Sequence, residues 1–163
     1  MHITFAPKGI LQIDDARMIF KNFEGRGDKF NREGDRNFSI LINDPDTAEA
    51  LQREGWNVKI KDGRDDDDGP FMRLPVKVKF TDYGPRVYLK SSKPEPIELD
   101  EESIGMLDQI EIETVDMDIR PFDWEVNGRT GRTAYLQSMH VVQRIDRFAA
   151  RYASLNKDDM SDY

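Results

Sequence analysis

Cysteine is absent from this sequence. That excludes a disulfide framework and thiolate metal sites, and a cytosolic setting is the simplest reading. Histidine occurs twice, as His2 and His140, too sparsely for a typical imidazole metal centre. His140 sits in an apolar run and reads as a packed or half-exposed strand residue. No Gly-x-Ser-x-Gly elbow is present, and Gly25-Arg26-Gly27 lacks the lysine and threonine of a phosphate-cradling loop. No apolar run approaches the ~20 residues of a membrane span, and the opening MHITFAPKG lacks a basic-then-apolar signal pattern. The chain therefore reads as a non-enzymatic binding protein with no cofactor.

The 163 residues fit one domain of ordinary size. The net charge of −8 argues against a polyanionic partner until its distribution is followed. Ten acids and no base lie between Glu95 and Asp118. The loop from Asp62 to Asp68 and the last six residues, Asp158 to Tyr163, are acidic as well. The rest of the chain is net basic. A local basic field can coexist with an acidic total, because screening acts over ~8–10 Å at physiological salt.

The chain is organised around ARMIFKNFEGRGDKFNREGDRNFSILI, Ala16 to Ile42. Side chains alternate along a strand. Ala16, Met18 and Phe20 then share a core face, and Arg17, Ile19, Lys21 and Phe23 share the other. The following loop adds Lys29, Phe30 and Arg36. The next strand turns Phe38, Ile40 and Ile42 inward. An apolar face backed by cations and rings suits single-stranded nucleic acid. The alternative is an ordinary solvated outer face of an antiparallel sheet.

Asn43 or Asp44 can cap a helix, Pro45 suits its first turn and Gly55 ends it, with Ala48, Leu51 and Trp56 toward the core. FMRLPVKVKF is a strand with Met72, Leu74, Val76, Val78 and Phe80 on one face and Lys77 and Lys79 on the other. Pro75 calls for a free edge or a bulge. RVYLK repeats the pattern, with Arg86, Tyr88 and Lys90 outward. Asp100 can cap a short helix containing Ser103, Ile104 and Leu107. In IEIETVDMDIRP the apolar phase slips, which places a bulge near Thr114. Asn127-Gly128 signals a hairpin between a short strand, Phe122 to Val126, carrying Trp124 and a long one, Arg132 to Ile145, with Arg129 and Arg132 near the tip. A final helix is expected over Asp146–Leu155, followed by an acidic tail from Asn156.

Two readings of the acids compete with a nucleic-acid partner. Glu95–Asp118 could be the working face of a protein-binding module or DNA mimic. Asp116 and Asp118, two residues apart on one strand face, could begin a two-metal nuclease site. The block Asp65–Asp68 lacks EF-hand spacing and reads as a solvated loop.

The run KNFEGRGDKFNREGDRNFSI, the segment WEVNGRTGRTAYL and the ending DDMSDY together resemble phage-encoded single-stranded DNA-binding proteins with an oligonucleotide-binding (OB) barrel. The resemblance implies a mainly β fold, a decorated OB-like antiparallel barrel with two or three short helices over residues 1–155, and a flexible acidic tail over 156–163. It implies single-stranded DNA as the partner, bound with little sequence preference during replication or recombination in the host cytoplasm. It also implies that Asp158, Asp159, Asp162 and Tyr163 recruit replication or recombination proteins. Monomer and dimer both remain open. The outward positions expected to touch DNA are Arg17, Lys21, Phe23, Lys29, Phe30, Arg36, Lys77, Lys79, Arg86, Tyr88, Lys90, Trp124, Arg129 and Arg132.

Overall fold

The computed structural model describes residues 1–63, 69–145 and 148. The strands are β1 (His2–Phe5), β2 (Leu11–Asp14), β3 (Met18–Asn22), β4 (Arg36–Ile42), β5 (Lys59–Lys61), β6 (Phe71–Val78), β7 (Arg86–Lys90), β8 (Ile97–Leu99), β9 (Ile112–Val126) and β10 (Arg129–Gln143). One α-helix, α1 (Pro45–Arg53), and two 3-10 turns, Pro7–Gly9 and Ile104–Asp108, complete the described residues. The fold is mainly β and OB-like, as expected. The expected helix over 146–155, the tail and the Asp65–Asp68 block lie outside the described residues, apart from Phe148.

All ten strands join one sheet with the path β1-β2-β9-β10-β6-β4-β3, to which β5, β7 and β8 attach. It is mixed where an antiparallel one was expected: β10 pairs in parallel with both β6 and β7. The ladder does not close into a full barrel. The path nevertheless returns on itself, because Ala16, just ahead of β3, donates its N–H to the Val115 carbonyl on β9 at 2.8 Å. Strand β10 changes neighbour at a bulge between Leu136 and Ser138. Before the bulge it pairs with β6, and after it with β7. Such an extra residue bends a strand, and here it lets one strand serve two parts of the sheet.

Period-two patterning fills the core. Phe38, Ile40 and Ile42 of β4 meet Met72, Leu74, Val76 and Val78 of β6, with Val115, Met117 and Ile119 of β9 and Leu136, Met139 and Val141 of β10. Pro75 occupies the gap left on one side of β6 between β5, which ends opposite Arg73, and β10, which begins opposite Val76. Its missing N–H therefore costs the ladder nothing. Helix α1 is capped by Asp44, whose carboxylate accepts from the Asp46 N–H at 3.2 Å and the Thr47 hydroxyl at 2.8 Å. Both bonds hold the Asp44 carboxyl below its usual pKa.

The phase slip in β9 is a bulge at Glu113, between the pairs Thr114–Val142 and Ile112–Gln143, one residue from the expected position. Two strands expected from IEIETVDMDIRP and Phe122–Val126 are one, because Pro121 lies beyond the end of β2, which pairs with β9 only as far as Ile119. Asn127 and Gly128 take φ of 52° and 78°, as a tight hairpin turn requires.

Strand β3 departs most from expectation. Phe20 has φ of 51°, and the β3–β4 register shifts between Ile19 and Asn22. The bulge exchanges two rings. Phe20 swings outward and is 63% exposed, while Phe23 turns inward and is fully buried against Phe38, ring centroids 5.4 Å apart. Asp108 fixes this geometry by accepting from the N–H groups of Phe23 at 2.9 Å and Glu24 at 3.0 Å.

Candidate nucleic-acid interface

Ladder register sets which side chains share the outer face. Asn37 and Ser39 of β4 stand opposite Lys77 and Pro75 of β6. Lys77 stands opposite Tyr135 of β10, and Tyr135 opposite Arg120 of β9. A groove of about 700 Å³ runs from this face, with Phe20, Arg73, Lys77, Lys79 and Tyr135, round the end of the β4–β6 pair to Arg36 and Phe80, with Asn31 and Gly34 of the β3–β4 loop at its rim.

Guanidinium–ring pairs organise the groove. Arg73 lies 5.4 Å from the Phe20 ring centroid and donates to the buried Ser39 hydroxyl at 2.8 Å. Arg36 lies 6.0 Å from the Phe80 centroid. Arg120 lies 4.9 Å from the Tyr135 centroid. Each ring holds its guanidinium by cation–π attraction and leaves the group's charge in place. Arg36 also reaches Glu101, by an ion pair at 3.4 Å and a bond to its carbonyl at 3.1 Å. Its buried Nε has no hydrogen-bond partner. The groove thus presents flat, preoriented cations beside flat rings, which is the chemistry that bases and phosphates need.

The β3–β4 loop is tied down by Asn31, whose amide donates to the carbonyls of Arg26, Arg32 and Asp35. Asn37 donates to Asn31 Oδ1 at 2.9 Å, which fastens the loop to β4. The loop carries Lys29 and Phe30, the latter 93% exposed, with the Lys29 ammonium 6.0 Å from its ring.

Of the expected contacts, Arg36, Lys77 and Lys79 meet in the groove, and Lys29 and Phe30 sit on the loop that forms its rim. Trp124 and Arg129 lie farther along the same sheet face, on the outer half of the β9–β10 hairpin. Arg86 and Tyr88 line a neighbouring depression with Arg120 and Tyr83. There Arg86 pairs with Glu98 at 3.3 Å, and Tyr88 stacks on the exposed His140 at 5.2 Å. Lys90 donates to the carbonyls of Lys93 and Pro94, both at 2.7 Å. Arg17 and Lys21 line a separate depression beside Glu111, Glu113 and Arg144, and Lys21 is bound to the Leu107 carbonyl at 3.0 Å.

One expected contact is corrected. Phe23 is core, and a buried ring offers no face to a base. Arg132 makes a two-pronged bond to Asp123 at 2.7 and 3.1 Å and covers the Trp56 ring at 5.3 Å. The bond from Arg132 holds the Asp123 carboxyl below its usual pKa and raises that of Arg132.

Several acids of the segment are bound within the domain. Glu98 and Glu101 pair with Arg86 and Arg36. Asp100 accepts from the Ser103 hydroxyl and N–H, and Asp116 accepts from the Asp15 N–H at 2.8 Å. Among the described residues no three His, Cys, Asp or Glu side chains gather as metal ligands, and no helix is long and apolar enough to cross a membrane.

Sequence reading missed Phe20, Arg73, Phe80 and Tyr135 as groove residues and Arg120 at the groove's boundary. Arg73 was within reach, since it alternates in phase with Lys77 and Lys79. Arg120 was masked by the acids before it, and Phe20 by the bulge.

A curled, mainly β domain whose outer groove is lined by cations and rings belongs to the architectures that handle oligonucleotides. The chain belongs to the family described as "Putative phage ssDNA-binding domain", whose profile matches residues 3–162. Its fold is similar to that of the single-stranded DNA-binding protein from bacteriophage Enc34. The C-terminal truncation of that protein gives a TM-score of 0.51 at 18% identity, covering 87% of this chain and 90% of the other. Its complex with ssDNA gives 0.50 at 19% identity, covering 88% and 90%. No curated protein matches the chain.

Proposed function

We propose that this protein binds single-stranded DNA, without catalysis, in the groove between the β3–β4 loop and β10. The observation that carries this is a set of three guanidinium–ring pairs in and beside the groove, Arg73–Phe20 and Arg120–Tyr135 on the outer face and Arg36–Phe80 at the end of the opposite face, with Lys77 and Lys79 beside them. Family membership supports it. Lysines and arginines pair with phosphates, and Phe20, Phe30, Phe80 and Tyr135 supply stacking faces. Stacking accepts every base, so sequence preference is weak. A duplex hides its base faces and binds less tightly. The role that follows is protection of exposed strands during phage replication or recombination.

The test is a titration of labelled single-stranded and duplex oligonucleotides at two salt concentrations. Single strands should bind tighter than duplex, with affinity falling linearly in log salt. Equal affinity for both, or affinity independent of salt, rejects the reading.

Residues 156–163 act, in this proposal, as a tail separate from the 1–155 domain. Asp158, Asp159, Asp162 and Tyr163 recruit protein partners and compete with DNA for the groove. The support is compositional: acids beside an aromatic residue, tethered at high effective concentration to a basic groove. Deleting Asp158–Tyr163 should tighten single-strand binding at low salt and leave the melting temperature unchanged. A weaker or unchanged affinity removes the competitor role.

A further inference from the structure

The outer half of the β9–β10 hairpin leaves the sheet as a two-stranded ribbon. Strand β2 pairs with β9 only as far as Ile119, and β6 meets β10 only at Ala134 and Tyr135. On the side of β10 away from β9, Trp56 bridges Arg132, and no described strand pairs with Arg129, Thr130 or Gly131. An open edge of this kind is a template for another chain. Phe122, Trp124 and Val126 are exposed on the same ribbon, and apolar groups exposed together mark contact surfaces.

Two features of opposite charge lie along this edge. One is a depression of about 470 Å³ lined by Trp124, Gly131, Glu54, Asp123, Glu125 and Arg132. Three carboxylates meet one guanidinium there, and that guanidinium is already bound to Asp123. The remaining charge is negative, so the depression repels a phosphate and attracts a cation. The Trp124 indole lies across Gly131, where a Cβ would collide with Cζ2 and Cε2 of the ring. A cation entering the depression therefore meets a ring and a free carboxylate together, because Glu125 makes no ion pair with any described residue. The other feature is Arg129, which is exposed. It makes no ion pair and covers no ring among the described residues.

We infer that the outer half of this hairpin is a self-association surface, on which Arg129 of one copy docks against Trp124 and Glu125 of a second about a two-fold axis near Thr130. Arg129 and Gly131 are two residues apart on one strand, about 7 Å. An antiparallel approach of two β10 edges centred on Thr130 sets Arg129 of each copy beside Gly131 of the other, at the mouth of the acidic depression. The cation and its receptor are on the same chain, so one two-fold axis makes the contact twice. A different partner makes it once and must bring its own cation. The depression shares no lining residue with the groove, so the inference goes beyond the reading of the groove and stands without it.

The test is sedimentation equilibrium of the full chain without DNA. Wild type should pass from monomer to dimer as its concentration rises toward about 1 mM, the weak end of specific association, and added salt should weaken the dimer. Arg129→Glu and Glu125→Arg each set like charges against one another across the axis and should each weaken association roughly tenfold or more. An equimolar mixture of these two variants should associate as wild type does, because each then meets the opposite charge on the other. Trp124→Ala should also weaken the dimer. Should it fold poorly, the two charge reversals, both at exposed positions, decide alone. A wild type that stays monomeric throughout, a dimer indifferent to both reversals, a mixture that stays monomeric, or growth beyond the dimer overturns the inference.

Discussion

The Arg120 guanidinium lies 4.9 Å from the Tyr135 ring centroid, on residues that face each other directly across β9 and β10. Tyr135 lines the groove and Arg120 lines the neighbouring depression that contains Arg86 and Tyr88. The pair is therefore the boundary between two surfaces that differ in electrostatics. On the groove side Lys77 and Lys79 make no ion pair with any described residue. On the other side Arg86 and Lys90 already have oxygen partners.

That difference yields the first prediction. A phosphate gains most from a cation that has no competing anion. Lys77→Ala and Lys79→Ala should each weaken single-strand binding and reduce the log-affinity against log-salt slope by ~0.7, the value for one contact on a single strand. Arg86→Ala and Lys90→Ala should leave the slope within error of wild type. Slopes measured by anisotropy from about 50 to about 200 mM salt, the range in which such contacts are expressed, check this. Equal flattening by all four variants would show that the whole outer face binds DNA.

Much of this was legible in the sequence. The alternation in FMRLPVKVKF gave β6 and its two groove lysines, because nothing interrupts its period. Asp44-Pro45 and Asn127-Gly128 specified a cap and a turn through local chemistry, which needs no tertiary information. What failed did so where a long-range contact overrode local period. The β3 bulge depends on Asp108, 85 residues away from Phe23, and no local pattern around Phe20 announces it. The partners of Arg132, Asp123 and Trp56, were not legible because they are set by the β9–β10 ladder and by an isolated bridge to Trp56. The parallel pairing of β10 with two strands is likewise a property of the completed sheet.

The exchange of Phe20 and Phe23 separates binding from stability. Phe23→Ala should cost about 3–5 kcal/mol of folding stability, as expected for truncating a fully buried ring, and leave affinity intact at a temperature where the variant is folded. Phe20→Ala should do the reverse: a small change in melting temperature and a loss of roughly 1–3 kcal/mol in binding, the range for one stacked base. Denaturant melts and titrations on both variants decide it. A binding loss confined to Phe23→Ala would contradict the bulge.

The Asp123–Arg132 pair predicts a pH effect on the hairpin. The hydrogen bond from Arg132 holds the Asp123 carboxyl below its usual 3.8. A carboxyl whose pKa is depressed by folding stabilises the native state fully above its unfolded value and loses that contribution as the pH falls through the folded one. Wild type should therefore melt above Asp123→Asn at neutral pH, and the gap should narrow only below about pH 4. The gap will be small, since Asp123 is largely solvent-exposed and exposed pairs contribute ~1 kcal/mol or less. Melting curves of constant separation down to about pH 2, below any aspartate carboxylate still ionised, would show that the pair does not titrate with folding.

Glu101 places a carboxylate at the rim of the groove, 3.4 Å from the Arg36 guanidinium. It occupies a position where a phosphate oxygen would otherwise meet that cation. Arg36 does not depend on the carboxylate for its placement, because the Glu101 carbonyl binds it at 3.1 Å and Phe80 lies against it. Glu101→Gln should leave Arg36 in position and remove the competing charge. Single-strand affinity should rise about two- to fivefold at low salt, matching the ~0.2–1 kcal/mol of a partly exposed ion pair. The gain should shrink as salt screens the rim, and stability should change by less than ~0.5 kcal/mol. Arg36→Ala should act in the opposite direction, weakening binding and flattening the salt slope by ~0.7. The pair of variants is informative because a merely structural ion pair predicts something else: both substitutions would lower the melting temperature, and neither would tighten binding. Tighter binding by Glu101→Gln at low salt, lost in the Arg36→Ala background, would identify Arg36 as a phosphate contact that Glu101 restrains. Unchanged or weaker binding by Glu101→Gln would remove Glu101 from the interface.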